Sequence, residues 1–159
     1  MNATVEIQPQ EVSNMLVQLF EETFNTSQGI YLDKNSSLLA TLDTITAEEA
    51  SIPVGGKCAS LAAQVEHVVF YIESFERYAL QGDDTPPDWG HIWRTVEKVT
   101  PEEWEASKAK LRTTYERIKG LFAKNPMWNQ DTIGGALTVI IHSAYHLGEI
   151  RQAMCVLKK

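Results

Sequence analysis

The spacing of hydrophobic residues along the chain predicts four long helices. In the first, at about residues 10–31, and in the second, at about residues 60–80, apolar side chains recur every three or four positions and form one stripe. The third, at about residues 100–125, begins with the sequence of a capping box. The fourth, at about residues 132–157, is apolar nearly all round. We therefore expect it to be buried on every side, as the central element or partly in a dimer interface.

The connections between these helices differ in length. Residues 38–54 follow the first helix, and a capping-box spacing at Thr46 followed by Pro53 predicts a loop with short helical turns. Residues 83–99 follow the second helix, and connections of this length are uncommon inside compact domains and are often functional. No segment shows clear strand-like alternation. The pattern therefore predicts an all-α four-helix bundle with a long crossover connection between helices 2 and 3.

Composition and charge narrow the class of protein. The length of 159 residues fits one domain, which we expect to span residues 1–159, and 43% apolar with 22% charged residues is ordinary for a globular chain. A net charge of −7 without a Lys/Arg cluster argues against binding to nucleic acid or to anionic membranes. Neither a membrane-spanning run nor a signal-peptide pattern is visible, and two cysteines do not make a disulfide framework. We expect a cytoplasmic protein.

The histidines are the most informative chemical feature. Of the four in the chain, His142 and His146 lie four residues apart in the fourth helix, so their imidazoles share one face. That spacing lets one helix give two ligands to one ion, although the pattern alone is a weak signal. His67 lies near the middle of the second helix, on the flank of its apolar stripe. All three can reach one level of the bundle, which predicts a divalent-metal site in a side cleft.

The residues alone leave a second interpretation open. His142 and His146 could be core histidines bonded to backbone or carboxylate groups, with His67 at the surface. Two buried imidazoles would repel each other when charged, and a metal resolves this by holding both neutral.

Three segments carry a resemblance to a known family. They are residues 46–50 (TAEEA) with Pro53, residues 60–67 (SLAAQVEH) and residues 142–151 (HSAYHLGEIR). Together they resemble the DinB-like (DinB/YfiT-like) family of small four-helix metalloproteins, and the resemblance extends over most of the chain. The lone histidine of the second helix and the H-x-x-x-H-x-G run of the fourth are its most specific parts.

The resemblance implies a function as well as a fold. It implies one divalent metal, commonly zinc or nickel, on His67, His142 and His146, and a homodimer. Characterised relatives include thiol-dependent transferases and isomerases that use low-molecular-weight bacterial thiols, while many members have no known activity. Glu149 stands where the family more often has Gln, so its carboxylate is a candidate extra ligand, a partner of a ligand or a base.

Three histidine ligands favour catalysis over a purely structural role, because structural zinc sites are closed by four protein ligands. The first hypothesis is a metal-dependent enzyme that activates a thiol or water to transfer, isomerise or hydrolyse a small molecule. Glu149 is the candidate catalytic acid or base, and the candidate pocket residues are Tyr71, Trp89, His91 and Trp93. Zinc or nickel is expected first, and iron or manganese second. The alternatives are a non-catalytic metal-binding or stress-associated helical dimer, and a dimerisation module without metal.

Overall fold

The computed structural model describes residues 7–56, 58–124 and 128–158. In these ranges the regular secondary structure is helical, and loops connect the helices. These ranges contain no strand, so the predicted all-α class is confirmed. The described helices are α1 (Pro9–Phe24), α2 (Leu38–Leu42), α3 (Ala47–Ala50), α4 (Leu61–Gln81), α5 (His91–Thr95), α6 (Pro101–Lys124) and α7 (Gln130–Leu157). The four long ones are the four predicted helices, and α2 and α3 are the expected short turns.

Local sequence signals set the ends of the long helices. The Ser60 hydroxyl accepts a hydrogen bond from the Ala63 N–H at 3.2 Å and starts α4, and Gly82, with φ of 66°, ends it in the left-handed conformation. Before α6, the Glu103 N–H donates to the Thr100 hydroxyl at 3.2 Å and the Thr100 N–H donates to the Glu103 carboxylate at 2.8 Å. The predicted capping box is therefore formed.

The end of α1 differs from the prediction, because the helix stops at Phe24 rather than near residue 31. The reason is the fully buried carboxylate of Glu22 in its last turn. Its oxygens accept backbone N–H groups from the segment after the helix, those of Gln28, Ile30, Tyr31 and Leu32. The chain folds back around this charge instead of continuing the helix.

The four long helices pack in pairs, with α1 and α4 each contacting both α6 and α7. Ion pairs fix the relative direction of α4 and α6: Glu66 faces Lys110 at 3.7 Å, and Glu76 faces Arg117 at 2.6 Å. Residue numbers rise together along both helices, so α4 and α6 run in the same direction. The chain between them must therefore return along the length of α4.

The returning segment, residues 82–100, lies back along α4. Trp89 packs with its ring centroid 5.9 Å from that of Phe70, and Trp93 lies 4.4 Å from the ring centroid of His67. At the far end the Val99 N–H donates to the Ser51 hydroxyl at 3.0 Å. The short helix α5 forms within this segment and was not expected from the sequence. Its path brings aromatic rings to the middle of α4.

Within one chain the burial of α7 is one-sided, so the expectation that it is the central element, buried on every side by its own chain, is wrong. Residues such as Val139 and Ile150 are fully buried, but Ile141 is 65% exposed and Tyr145 61% exposed. The apolar residues of α7 thus lie on both its buried face and its solvent-exposed face. No described helix combines the length and apolar character needed to cross a membrane.

Candidate metal centre

His67 of α4 and the His142/His146 pair of α7 converge at one point between the two helices. One ring nitrogen from each of the three lies within 4.8 Å of the others. The Nε2 atoms of His67 and His142 are 3.2 Å apart. The ring centroid of His146 lies 4.9 Å from that of His67 and 4.6 Å from that of His142. The predicted convergence of the three histidines is confirmed.

The nitrogen spacing is compatible with a shared ion. Two nitrogens bound to one tetrahedral zinc, each at about 2.0–2.1 Å, lie about 3.3 Å apart. The 3.2 Å between His67 and His142 matches that distance. The same spacing also permits a hydrogen bond in which one neutral ring donates and the other accepts. A two-histidine hydrogen bond leaves the approach of His146 unexplained, whereas a metal accounts for all three rings.

The environment keeps the imidazoles neutral. His67 and His146 are only 7% and 5% exposed. Burial, followed by repulsion from neighbouring histidines, lowers the pKa of His67 and of His142 to about 4. Burial also lowers the pKa of His146, although Glu149 opposes that shift. The neutral imidazole is the form that binds metal, so no proton has to leave before an ion enters at neutral pH.

Glu149 lies behind His146. Its Oε2 atom is 2.9 Å from His146 Nδ1, an ion-pair distance, yet the direction falls outside that of a ring N–H hydrogen bond. The Tyr145 hydroxyl donates to the other carboxylate oxygen at 2.6 Å, and this bond raises the pKa of the Tyr145 phenol. The group of mutually close ligand atoms does not include the carboxylate. Glu149 is thus placed to orient a ligand.

Aromatic rings from α4 and the returning segment cover the histidines. Tyr71 stacks on His142 with 3.7 Å between ring centroids and 15° between ring planes. Trp93 covers His67, and Trp89 lies 5.5 Å from Tyr71. Of the four candidate pocket residues, Tyr71 and Trp93 therefore contact the cluster, and Trp89 reaches it only through Tyr71. The fourth, His91, is exposed at the start of α5 and is not part of the histidine group.

Two cavities lie beside the cluster rather than on it. The smaller, about 250 Å³, adjoins the histidines through Tyr71 and Trp89, which form part of its wall. The larger, about 610 Å³, lies further along α4 and α7 and has no histidine in its lining. Its size alone does not make it the reactive site, because the groups able to hold an ion are elsewhere.

Two features of the site were not predicted from the sequence. Gln64, one turn before His67, is buried with its side-chain oxygen lacking a hydrogen-bond partner. The Nδ1 atoms of His67 and His146 are the other buried side-chain atoms found without one among the described residues. The second feature is the Tyr145–Glu149 bond, for which the i, i+4 spacing was the available signal. Unpaired polar atoms thus concentrate at this site.

Comparisons of the chain with family models, with curated proteins and with solved structures gave no match. The function is therefore argued from the geometry of the described residues.

Proposed function

We propose that this chain binds one divalent metal ion through His67, His142 and His146 and uses it in catalysis on a small molecule. The observation that carries the proposal is the convergence of three neutral, largely buried ring nitrogens from two helices. Burying three imidazoles together without a partner costs free energy, and a shared cation recovers it.

The donor set fits a catalytic rather than a structural ion. Three protein ligands leave a coordination position for water or substrate. Bound there, the metal would supply Lewis acidity and a nucleophile at neutral pH. Zinc or nickel is the expected ion, with iron or manganese as further candidates, because imidazole suits all of these metals.

The chain's own residues would orient the site and shape access to it. Glu149 lies 2.9 Å from His146 Nδ1, the position that carboxylates commonly take behind metal-bound histidines, and its charge would orient that ring once an ion is bound. Tyr71 and Trp93 pack against the other two rings and limit the entry of water. The reaction class we propose is thiol-dependent transfer or isomerisation, or hydrolysis, with a low-molecular-weight thiol as one candidate substrate.

The wider assignment follows the resemblance to DinB-like proteins. In the topology that we propose, α1, α4, α6 and α7 form a four-helix bundle, and residues 82–100 form the crossover connection between α4 and α6. The parallel direction of α4 and α6 supports this topology. A homodimer is proposed through the exposed apolar face of α7 at Ile141 and Tyr145.

Metal content tests the central claim. Protein prepared without a histidine tag is incubated with zinc or nickel, desalted and measured by mass spectrometry. We expect about one ion per chain in the wild type and in His91→Ala, the exposed control, and none in His67→Ala. A wild type that retains no metal, or a His67→Ala variant that retains it fully, contradicts the proposal.

A further inference from the structure

The face of α4 that carries His67 continues as a line of aromatic residues. Tyr71, Phe75 and Tyr78 follow at steps of four, four and three, so they lie on the same side of the helix. The eleven residue-to-residue steps from His67 to Tyr78 span about 16 Å of helix. A groove beginning at the histidines can therefore extend well beyond them.

The facing side of α7 runs in the opposite direction. His142 meets His67, whereas Gly135, seven residues earlier, meets Phe75 eight residues later. A Cβ atom at Gly135 would lie 2.5 Å from Phe75 Cε2, so only glycine lets the ring rest against the α7 backbone. The glycine thus keeps the Phe75 ring at the wall of the groove between the two helices.

The two cavities follow each other along this side of α4, the smaller between α4 and the returning segment and the larger where α4, α6 and the start of α7 meet. Phe75 and Tyr78 line both of them, so the cavities adjoin at these two rings. The smaller one reaches Tyr71, which stacks on His142. The order along the groove is therefore histidine cluster, cavity of about 250 Å³ and cavity of about 610 Å³.

The walls suit an uncharged, apolar body. Tyr78 is 68% exposed and Trp89 is also exposed, which leaves large aromatic surfaces for a ligand to cover. The larger cavity is walled mainly by apolar residues of α4, of α6 and of the segment before α7, namely Phe75, Ala79, Ile118, Leu121, Phe122 and Trp128.

Four of the five charged side chains that line the cavities are two of each sign, and the fifth, Asp84, is an exposed carboxylate at the outer wall of the smaller cavity, so the lining holds no excess of positive charge for an anionic body. Arg77 and Asp83 pair with each other at 3.4 Å, and Lys124 and Asp131 bring opposite charges to the far end. At the other end, three neutral ligands would leave an ion its full positive charge, which favours an anionic group.

We infer that the substrate is an elongated molecule with an anionic, metal-binding group at one end and an apolar body, up to about 16 Å long, in the two adjoining cavities along α4. The inference rests on the proposed metal centre for its polar end. Its apolar end rests on the cavities alone.

The test uses hydroxamates, which bind metals through one end, with carbon chains of two, six and ten atoms. On metal-loaded wild type, we expect affinity to rise at least tenfold from the shortest to the longest, because added methylenes become buried. Ala79→Trp places an indole in the larger cavity from an exposed helix position. It should abolish the gain with length and leave the affinity for acetohydroxamate unchanged. The matched control is Ala109→Trp, at an exposed position of α6 outside both cavities.

A second measurement separates the two ends of the inference. N-phenyl-1-naphthylamine, an uncharged fluorescent probe, is titrated into metal-free protein, where binding should be lost in Ala79→Trp and kept in Ala109→Trp. If the protein binds metal but the hydroxamate affinity does not rise with chain length, the inference is overturned and the proposed metal centre stands. A second outcome is that the protein takes up no metal but binds the probe, and that Ala79→Trp abolishes the probe binding. This outcome overturns the proposed metal centre and the anionic end of the substrate, and it supports the apolar groove.

Discussion

The α1–α6 side of the molecule and the histidine cluster both bury polar groups, but they treat them in opposite ways. Near α6, the Glu21 carboxylate accepts hydrogen bonds from Lys119 at 2.7 Å, from Asn25 at 2.7 Å and from the Tyr115 hydroxyl. Burial alone would raise the pKa of Glu21, and these partners outweigh it, so the pKa lies below its ordinary value. The charges of Glu21 and Lys119 are thus compensated within the chain.

The histidine cluster leaves polar atoms without partners. The Nδ1 atoms of His67 and His146 lack hydrogen bonds, and the rings depress one another's pKa values. Buried unsatisfied groups cost free energy, so a protein that keeps them together retains a site rather than a structural contact. In this molecule the complete network around Glu21 serves stability, and the incomplete one coincides with the metal site that we propose. Substitutions should therefore lower the free energy of unfolding in the first region and ligand affinity in the second.

The largest effect is expected at a histidine. His146→Ala should weaken zinc binding by more than about a hundredfold. Loss of a residue that only supports a metal ligand costs up to about a hundredfold in affinity, and loss of the ligand itself should cost more. The unfolding free energy of the metal-free protein should be unchanged or raised, since the unpaired, buried Nδ1 atom of His146 disappears. Competition with a chelator and urea denaturation measure the two quantities. A metal-free variant much less stable than wild type would show that the cluster is structural.

Glu22 at the end of α1, whose carboxylate has a full set of hydrogen-bond partners, should affect stability and not metal binding. Replacing it by Gln should lower the free energy of unfolding by about 2 kcal/mol, because hydrogen bonds to a charged acceptor are lost. Metal affinity should not change. Urea denaturation at pH 7 measures the loss, and Glu116→Gln, an exposed glutamate in α6, is the matched control. Equal stabilities of the two variants would contradict the anchoring role of the carboxylate.

The stabilisation by Glu22 should also depend on pH in a defined direction. Burial raises its pKa, and four backbone N–H groups outweigh this, so the folded-state pKa lies below the ordinary value of 4.5. The contribution is then full above that value and is lost as the pH falls through the folded-state pKa. Between pH 7 and pH 3, wild type should lose more stability than Glu22→Gln. Parallel curves would contradict this assignment.

A smaller effect is expected behind the metal ligands. Glu149→Gln should weaken zinc binding about tenfold, at the lower end of what carboxylates behind metal-bound histidines contribute. Nitrogen NMR of the metal-free protein should show the His146 proton shifting away from Nδ1, because the carboxylate that favours it there has gone. The same Glu116→Gln control applies. An unchanged tautomer together with unchanged affinity would remove Glu149 from the site.

The sequence predicted the long helices and the pairing of His142 with His146 because both depend on local periodicity, and it predicted the approach of His67 because all three histidines lie near the middle of their helices. Helical spacing places His142 and His146 on one face whatever the rest of the chain does. The early end of α1 escaped prediction because it depends on a buried carboxylate, Glu22, that collects backbone donors from residues six to ten positions later. The groove escaped it because the meeting of Phe75 and Gly135 depends on the register between α4 and α7.

The smallest effects come from removing one phenolic hydroxyl in each region. Tyr115→Phe takes a donor from Glu21, whose Lys119 and Asn25 bonds remain, so the unfolding free energy should fall by about 1 kcal/mol with metal affinity unchanged. Tyr145→Phe removes the donor to Glu149 at an exposed position, so the unfolding free energy should not change. Zinc affinity should fall only a few-fold, which is less than the loss expected for Glu149→Gln. Urea denaturation and chelator competition on both variants give four values. If both tyrosines changed stability alone, the difference between the two regions would vanish, because Tyr145 would then belong to a structural network like that of Tyr115.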